Sequence, residues 1–323
     1  MTPIEEAVRL MGSSQRIVIA THVSPDPDAL GSLLGLGLGL QSMDKQIAFL
    51  CDDPVPSKLR FLPGSDAVTS STDLQADLFI GVDASDPERL GNCSATWLSA
   101  NIPVLNIDHH ITNVNFGTVN LVDPQAAATT EVLPSVLDAL GVTITKEIAT
   151  CLAAGLIGDT RSFATSNVTS NTMHIAARLI EAGIDLATIT ESVFSKRSLS
   201  TLRLWGLGLG NLHMDDSVIW TAISTAERRN IGLRDISDTG LSNILLSAEE
   251  ANISAVFTEK PDNQVDISFR ARPEYDVATV ALSLGGGGHS QAAGCLIKGS
   301  LEEIIERVIP LLKAQISPPE QKG

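Results

Sequence analysis

The chain has 323 residues, of which 43% are hydrophobic and 19% charged, and a formal charge of −16. That length suits two domains with ordinary cores, and the acidic balance argues against a protein that grips long duplex nucleic acid, because such affinity comes from basic side chains displacing counterions. The longest apolar run, Ala29 to Leu40, is too short to cross a bilayer and is broken by glycines, which argues against a membrane-embedded protein.

At the N-terminus, Met1-Thr2-Pro3-Ile4-Glu5-Glu6 lacks the basic start and apolar stretch of a signal peptide, which predicts a cytoplasmic protein. Ile4 to Gly12 predicts an amphipathic helix and Arg16 to Ala20 a buried strand. Thr21 to Ser32 then packs His22, Asp26 and Asp28 into one turn. Asp26 suits an N-cap and Pro27 the first helical position, while Asp28 lies where the helix dipole favours negative charge. Capping alone accounts for both acids; the same stretch also reads as half of a metal site. The helix runs to about Met43, and Gly35, Gly37 and Gly39 inside it permit close packing. They are no dinucleotide fingerprint, because they lie well past the strand end.

Gln46 to Cys51 predicts a second strand, followed by an acidic, proline-bearing loop from Asp52 to Pro63. Leu78 to Val82 forms a third strand ending on Asp83, and Val104 to Ile107 a fourth ending on Asp108-His109-His110. In open, mostly parallel α/β sheets, ligands bind outside the carboxyl ends of the strands. Three strands thus bring their polar ends to one crevice, which makes coincidence the weaker explanation. Asn120 to Thr130 reads as a turn, and helices follow at Glu131 to Leu140 and from Lys146 to about Ile157, the latter stopping at Gly158-Asp159-Thr160. Asp159 sits in an apolar neighbourhood and wants a partner, which a cation in the crevice supplies. Ser170 to Ala182 gives one more helix. Cys51, Cys93, Cys151 and Cys295 form no C-x-x-C pair, as fits reduced thiols.

From Ile184 to Asp216 the pattern loosens into a helical linker containing Lys196-Arg197. Strands are expected at Ser217 to Ser224, Ile253 to Thr258, Gln264 to Ala271 and Cys295 to Lys298, and helices at Leu241 to Ala251, Asp276 to Leu284 and Leu301 to about Gln315. The predicted division is residues 1–185 for a catalytic domain, 186–215 for the linker, 216–317 for a substrate-binding domain and 318–323 for a tail. The fold class is α/β: a mostly parallel N-terminal sheet flanked by helices, with a smaller C-terminal α/β domain across a flexible linker. In that second domain the run Gly285 to Gly288 with His289 is a candidate nest for phosphate or carboxylate. Arg270 and Arg272 add guanidinium forks that match phosphate oxygens.

His22, Asp26, Asp28, Asp83, His109 and Asp159 together could hold two divalent ions with one carboxylate bridging. Mixed imidazole and carboxylate donors suit manganese best, with iron, cobalt, zinc and magnesium remaining compatible. Two ions about 3.5–4 Å apart serve in-line displacement at phosphorus. No serine or cysteine nucleophile with a base at hand is evident, so direct attack by metal-bound water is the simpler mechanism.

With His22-x-x-x-Asp26-x-Asp28, Asp83, Asp108-His109-His110, Gly158-Asp159-Thr160 and Gly-Gly-Gly-His289-x-x-Ala-Ala-Gly294 in order, the chain resembles the DHH phosphoesterases with a DHH-associated C-terminal domain. It looks most like their short two-domain oligoribonuclease and phosphoadenosine-phosphate phosphatase (NrnA-like) type. The resemblance implies that His22, Asp26 and Asp83 hold one manganese and that Asp28, Asp83, His109 and Asp159 hold the other, with Asp83 bridging. It implies that His110 touches the scissile phosphate while Asp108 supports the ligand histidine from behind. The C-terminal domain, by the same likeness, holds the far end of the substrate through Arg270, Gly286, Gly287, Gly288 and His289 and closes over the metals.

The implied activity is manganese-dependent hydrolysis of very short oligoribonucleotides, linear dinucleotides such as pApA, or 3'-phosphoadenosine 5'-phosphate. A cyclic-dinucleotide phosphodiesterase is the close alternative. An RNA-binding module is the alternative of another class, since a similar Gly-Gly-His domain is found in alanyl-tRNA synthetases, though the low basic content speaks against it. A soluble inorganic pyrophosphatase shares the N-terminal site, but the glycine-histidine loop disfavours it. Monomer and homodimer are both compatible with the sequence. Two departures stand out: Arg161 follows Asp159-Thr160 where the family usually has glycine, and Ala271 follows Arg270 where serine is common.

Overall fold

In the computed structural model, which describes residues 2–195, 198–232 and 240–316, a capping box starts the first helix. The Thr2 hydroxyl accepts the Glu5 N–H and the Glu5 carboxylate accepts the Thr2 N–H, opening α1 (Pro3–Ser13). There follow β1 (Arg16–Ala20), α2 (Pro27–Gln41), β2 (Gln46–Leu50), β3 (Val68–Thr69), β4 (Leu78–Val82), α3 (Ala95–Leu98), β5 (Val104–Asp108), β6 (Val119–Val122), α4 (Thr129–Ala139), α5 (Lys146–Asp159), α6 (Ser170–Glu181) and α7 (Leu186–Thr190). These belong to the first of two units, Met1–Lys196, the second being Arg197–Gly323.

The strands of the first unit form one sheet in the order β3-β2-β1-β4-β5-β6, and every pairing in it is parallel. Side chains alternate across it as a strand demands. Ile17, Ile19, Leu78, Ile80, Leu105 and Ile107 face the large core, whereas Val18, Ala20, Phe79 and Val104 face a smaller one. The strand order reverses between β1 and β4, the point where ligands enter doubly wound sheets.

The second unit comprises α8 (Leu199–Gly210), β7 (Leu212–Asp215), β8 (Val218–Ile223), α9 (Thr225–Asn230), α10 (Leu241–Leu245), β9 (Ile253–Lys260), β10 (Gln264–Ala271), α11 (Val277–Ser283), β11 (Gly287–His289), β12 (Ala292–Lys298) and α12 (Leu301–Ile316). Its sheet has the order β11-β12-β10-β9-β8-β7, antiparallel except for β8 beside β9. One core gathers residues of α11 and α12, such as Val277, Val280, Ile304 and Val308; another gathers Leu204, Leu241 and Leu245 of α8 and α10.

The structure departs from expectation at several points. Asn120 to Thr130 is not all turn, because its start belongs to β6, whose alternating burial is masked by the polar Asn120. Within the expected linker, Ile189 and Val193 are buried in the first unit's large core, and Leu212 to Asp215 form a strand of the second sheet. The helix expected from Leu241 to Ala251 ends at Leu245. The glycine-rich run is no open loop, since Gly287–His289 pair with Ala292–Gly294. Lys196-Arg197 and the tail from residue 317 lie outside the described residues. Among those described, the cysteines are free thiols and no helix is long and apolar enough to cross a membrane.

Candidate metal centre

Glycine packing between α2 and α5 prepares the site. A Cβ on Gly155 would lie 2.5 Å from Thr130 Cγ2 and 2.6 Å from Asp28 Oδ1, and one on Gly158 would lie 2.7 Å from Pro27 Cβ. The expected helix stop at Gly158 is therefore a close-packing position inside α5, and the helix continues through Asp159. Because these glycines admit the start of α2, the acids of its first turn meet the acid at the end of α5. Asp26 caps α2 as expected, its Oδ1 accepting the N–H of Asp28 at 2.9 Å and of Ala29 at 3.0 Å. Its other oxygen, Oδ2, lies 3.8 Å from His22 Nε2.

His22 follows β1 and Asp83 follows β4 in a left-handed conformation, φ +55°, that is uncommon for a non-glycine residue. The His22 Nε2 lies 3.5 Å from Asp83 Oδ2. Beyond β5, His109 Nε2 faces three carboxylates: Asp159 Oδ2 at 3.3 Å, Asp83 Oδ1 at 3.8 Å and Asp28 Oδ2 at 4.0 Å. Among the described residues, mutually close donor atoms group His22, Asp26 and Asp83; Asp28, His109 and Asp159; and Asp83, His109 and His110.

Both inward histidines could serve as nitrogen ligands. His22 Nδ1 meets the Val23 carbonyl at 2.7 Å and His109 Nδ1 meets the Ala126 carbonyl at 3.2 Å. A carbonyl only accepts, so each Nδ1 carries the proton and each Nε2 lone pair is free in the neutral ring. The His109 Nε2 is buried with no hydrogen bond. An orphaned imidazole nitrogen facing a ring of carboxylates fits a divalent cation.

Electrostatics point the same way. Burial, together with the charges of Asp83 and Asp159, pushes the Asp28 carboxyl well above its ordinary value. Burial raises Asp159 too, the nearby His109 opposing and the charges of Asp83 and Asp26 adding to the rise. For His22, burial alone lowers the pKa, but the nearness and charges of Asp26 and Asp83 outweigh it and push it up to about 10. His109 likewise rises to about 10 against burial, through Asp159, Asp28 and Asp83. A cation would replace the protons that now hold these acids together.

Asp108 meets a different partner from the one expected. It accepts His110 Nδ1 at 2.7 Å and Asn113 Nδ2 at 2.6 Å, while His109 is braced by the Ala126 carbonyl. This bond raises the pKa of the His110 ring, which is 43% exposed. Thr129 and Thr130 were not singled out in the sequence: Thr129 Oγ1 donates to Asp83 Oδ1 at 2.8 Å, and Thr130 Oγ1 to Asp28 Oδ1 at 2.6 Å. Uncharged residues at the start of a helix carry no signal for such a role.

In the second unit, Arg272 gives its Nε to the Ala251 carbonyl and its Nη2 to that of Ala248, so its fork braces the turn before β9. Arg270 directs Nε to Asn243 Oδ1 and Nη1 to the Phe269 carbonyl. His289 is exposed on the edge strand β11. A Cβ on Gly286 would come 2.2 Å from the Gly294 carbonyl, and one on Gly288 (φ +140°) 2.5 Å from that of Ala292. Close approach to β12 alone therefore requires glycine at both positions.

Residues 16–156 match the DHH family N-terminal domain and residues 232–316 the DHHA1 domain. Over 304 residues the chain is 33% identical to a Thermus thermophilus protein named bifunctional oligoribonuclease and PAP phosphatase NrnA, covering 93% of this chain and 90% of that one. It is 27% identical over 332 residues to the cyclic-di-AMP phosphodiesterase PdeA of Listeria monocytogenes, covering 94% of this chain and 48% of the other. The solved structure of an exopolyphosphatase-related protein from Bacteroides fragilis matches with a TM-score of 0.87 at 26% identity, covering 96% of this chain and 97% of that one.

Proposed function

Because this chain belongs to the DHH phosphoesterase family, we propose that it is a metal-dependent hydrolase of very short phosphorylated nucleotides: oligoribonucleotides of a few residues, linear dinucleotides such as pApA, and 3'-phosphoadenosine 5'-phosphate. The observation that carries the reading is the orientation of Asp83, whose Oδ2 faces His22 and whose Oδ1 faces His109. His22, Asp26 and Asp83 would hold one ion and Asp28, Asp83, His109 and Asp159 the other, manganese suiting these donors best. Two such ions activate water and stabilise the attacking and leaving oxygens of a displacement at phosphorus.

The chain's own residues do the rest. His110, its Nδ1 held by Asp108 and its pKa raised, offers its ring at the rim to hydrogen-bond the scissile phosphate. Arg270 and His289 bind the far phosphate or base, whereas Arg272 stays with the frame. The charge of −16 supports short substrates over long duplexes. The likeness to the PdeA phosphodiesterase supports a second reading, cleavage of cyclic di-AMP.

Purified protein incubated with 3'-phosphoadenosine 5'-phosphate, pApA, cyclic di-AMP and 5'-labelled oligoribonucleotides of increasing length, each with manganese and with magnesium, separates these readings. Turnover is expected to fall with length and to favour linear over cyclic dinucleotide. No turnover of any of them with either metal refutes the proposal.

A further inference from the structure

The turn from Ala126 to Glu131 reaches three of the side chains assigned above to metal. The Ala126 carbonyl meets His109 Nδ1 at 3.2 Å. The Thr129 N–H donates to Asp28 Oδ2 at 2.6 Å, and Thr130 gives its N–H, at 3.1 Å, and its hydroxyl, at 2.6 Å, to Asp28 Oδ1. The Thr129 hydroxyl donates to Asp83 Oδ1 at 2.8 Å. A buried carboxylate clips the turn in place: Glu131 Oε2 accepts the Ala127 N–H at 2.9 Å and the Thr172 hydroxyl at 3.0 Å, and its Oε1 accepts Asn171 Nδ2 at 2.7 Å.

Helix formation explains the backbone part of this pattern, since the first N–H groups of α4 need acceptors and Asp28 supplies them. It does not explain the Thr129 hydroxyl. Thr129 is the first residue of α4, the N-cap is Ala128, and the hydroxyl points away from its own helix to a carboxylate 46 positions back in the chain. Asp83 is there in a backbone conformation, φ +55°, that persists only where surrounding contacts over-determine it. A carboxylate that spans two cations must offer one oxygen to each, and a free carboxylate can rotate to offer both to one. A fixed donor on a single oxygen removes that freedom.

We propose that Thr129 is a positioning residue of the metal centre: its hydroxyl sets the rotation of the Asp83 carboxylate so that the carboxylate spans both metal positions, and the turn clipped by Glu131 delivers that hydroxyl. The inference rests on the reading of Asp83 as the bridging ligand. Thr129 touches no metal in this scheme and acts through Asp83.

The test uses full-length wild type, Thr129→Val, Thr129→Ser and Glu131→Gln, stripped of metal and titrated with manganese chloride by calorimetry. Electron paramagnetic resonance spectra are recorded at two equivalents of manganese. Wild type is expected to bind two ions per chain and to give the spectrum of an exchange-coupled pair. Valine keeps the shape of threonine and lacks the donor, so Thr129→Val is expected to lose about 10- to 100-fold in manganese affinity and to show uncoupled ions. Thr129→Ser is expected to restore both, and Glu131→Gln to weaken affinity in the same direction but less. Circular dichroism of the metal-free variants verifies that each is folded, and Glu131→Gln carries the test if Thr129→Val is not. A folded Thr129→Val with wild-type affinity and a coupled spectrum overturns the inference, as does a Thr129→Ser that behaves like valine. Wild type that binds no coupled pair instead removes the reading of Asp83 as a bridge.

Discussion

Asp108 and His110 form a buried-to-exposed pair: the carboxylate is fully buried, the imidazole is half open to solvent, and 2.7 Å separates Oδ1 from Nδ1. The pair lies beside the proposed metal ligands without joining that set, so altering it is expected to leave metal binding in place. Asp108→Asn keeps an acceptor for Nδ1 and removes the charge that raises the His110 pKa. The expected outcome is a fall in kcat of about 100-fold or more, with manganese affinity within about threefold of wild type. If the charged ring is the active form, activity fails as pH rises through the His110 pKa, so the alkaline limb of the pH–rate profile moves to lower pH in the variant. An unmoved limb removes His110 from the reaction.

Metal binding is expected to be coupled to protons. In the metal-free protein His22 and His109 hold their protons up to about pH 10, against about 6.5 for a free imidazole. Their pairing with the acids therefore stabilises the metal-free fold fully below pH ~6.5, and that contribution is lost as pH rises through 10. Coordination needs both rings deprotonated, so manganese affinity climbs between pH 6 and 10 and binding near pH 7 releases protons. Calorimetric titration in two buffers of different ionisation enthalpy measures the release, and identical heats in both would contradict it.

Two glycines of the first unit are expected to respond oppositely to alanine. At Gly155 an added Cβ meets Thr130 and Asp28 at 2.5–2.7 Å, so Gly155→Ala should destabilise by about 1–3 kcal/mol and weaken metal binding together. At Gly12, within α1, nothing lies within 4 Å, so Gly12→Ala should stabilise by about 0.5–1 kcal/mol with activity unchanged. Denaturant midpoints of the two variants, compared with wild type, decide it.

Arg161 to Phe163 are three consecutive non-glycine residues with positive φ, +47°, +59° and +67°. Arg161 occupies the position where the resemblance expects glycine, and among the described residues its side chain makes no hydrogen bond or ion pair. Left-handed backbone disfavours a side-chain-bearing residue by about 1–2 kcal/mol, partly offset by glycine's larger folding entropy. Arg161→Gly is expected to raise stability by up to about 1 kcal/mol on that balance. A loss of stability would reveal a contact made by the guanidinium.

Much of this site was legible in the chain, and the reasons are local. β1, β4 and β5 are short β-branched or apolar runs that end on His22, Asp83 and Asp108, so pattern and polar terminus coincide; Asp26-Pro27-Asp28 carries its own capping chemistry. What escaped depended on partners distant in sequence. Thr129 meets Asp28 across 101 positions, and nothing in Ala-Thr-Thr-Glu distinguishes such a helix start from an ordinary one. Gly158 was misread because glycine serves both as a helix stop and as a packing gap, and only the presence of Pro27 against it selects the second. The pairing of Asp108 with His110 rather than His109 was hidden for a similar reason: adjacent histidines past a strand end look alike until the loop turns them apart. The glycine run of β11 read as a loop because its cross-strand partners, Ala292 to Gly294, contribute no bulk that marks a strand.

The reversal of strand order between β1 and β4 gives the sheet a metrical role. Ala20 is in register with Gly81, so His22 and Asp83 each stand two residues beyond a matched rung of one parallel ladder. Neighbouring strands lie about 4.8 Å apart whatever their side chains, a spacing commensurate with the two side chains proposed to reach one ion. The ladder thus acts as a ruler whose graduation is fixed by backbone hydrogen bonds. Loops around the crevice can be rebuilt for other substrates without recalibrating it, whereas a slip of one residue between β1 and β4 would put the two ligands out of step.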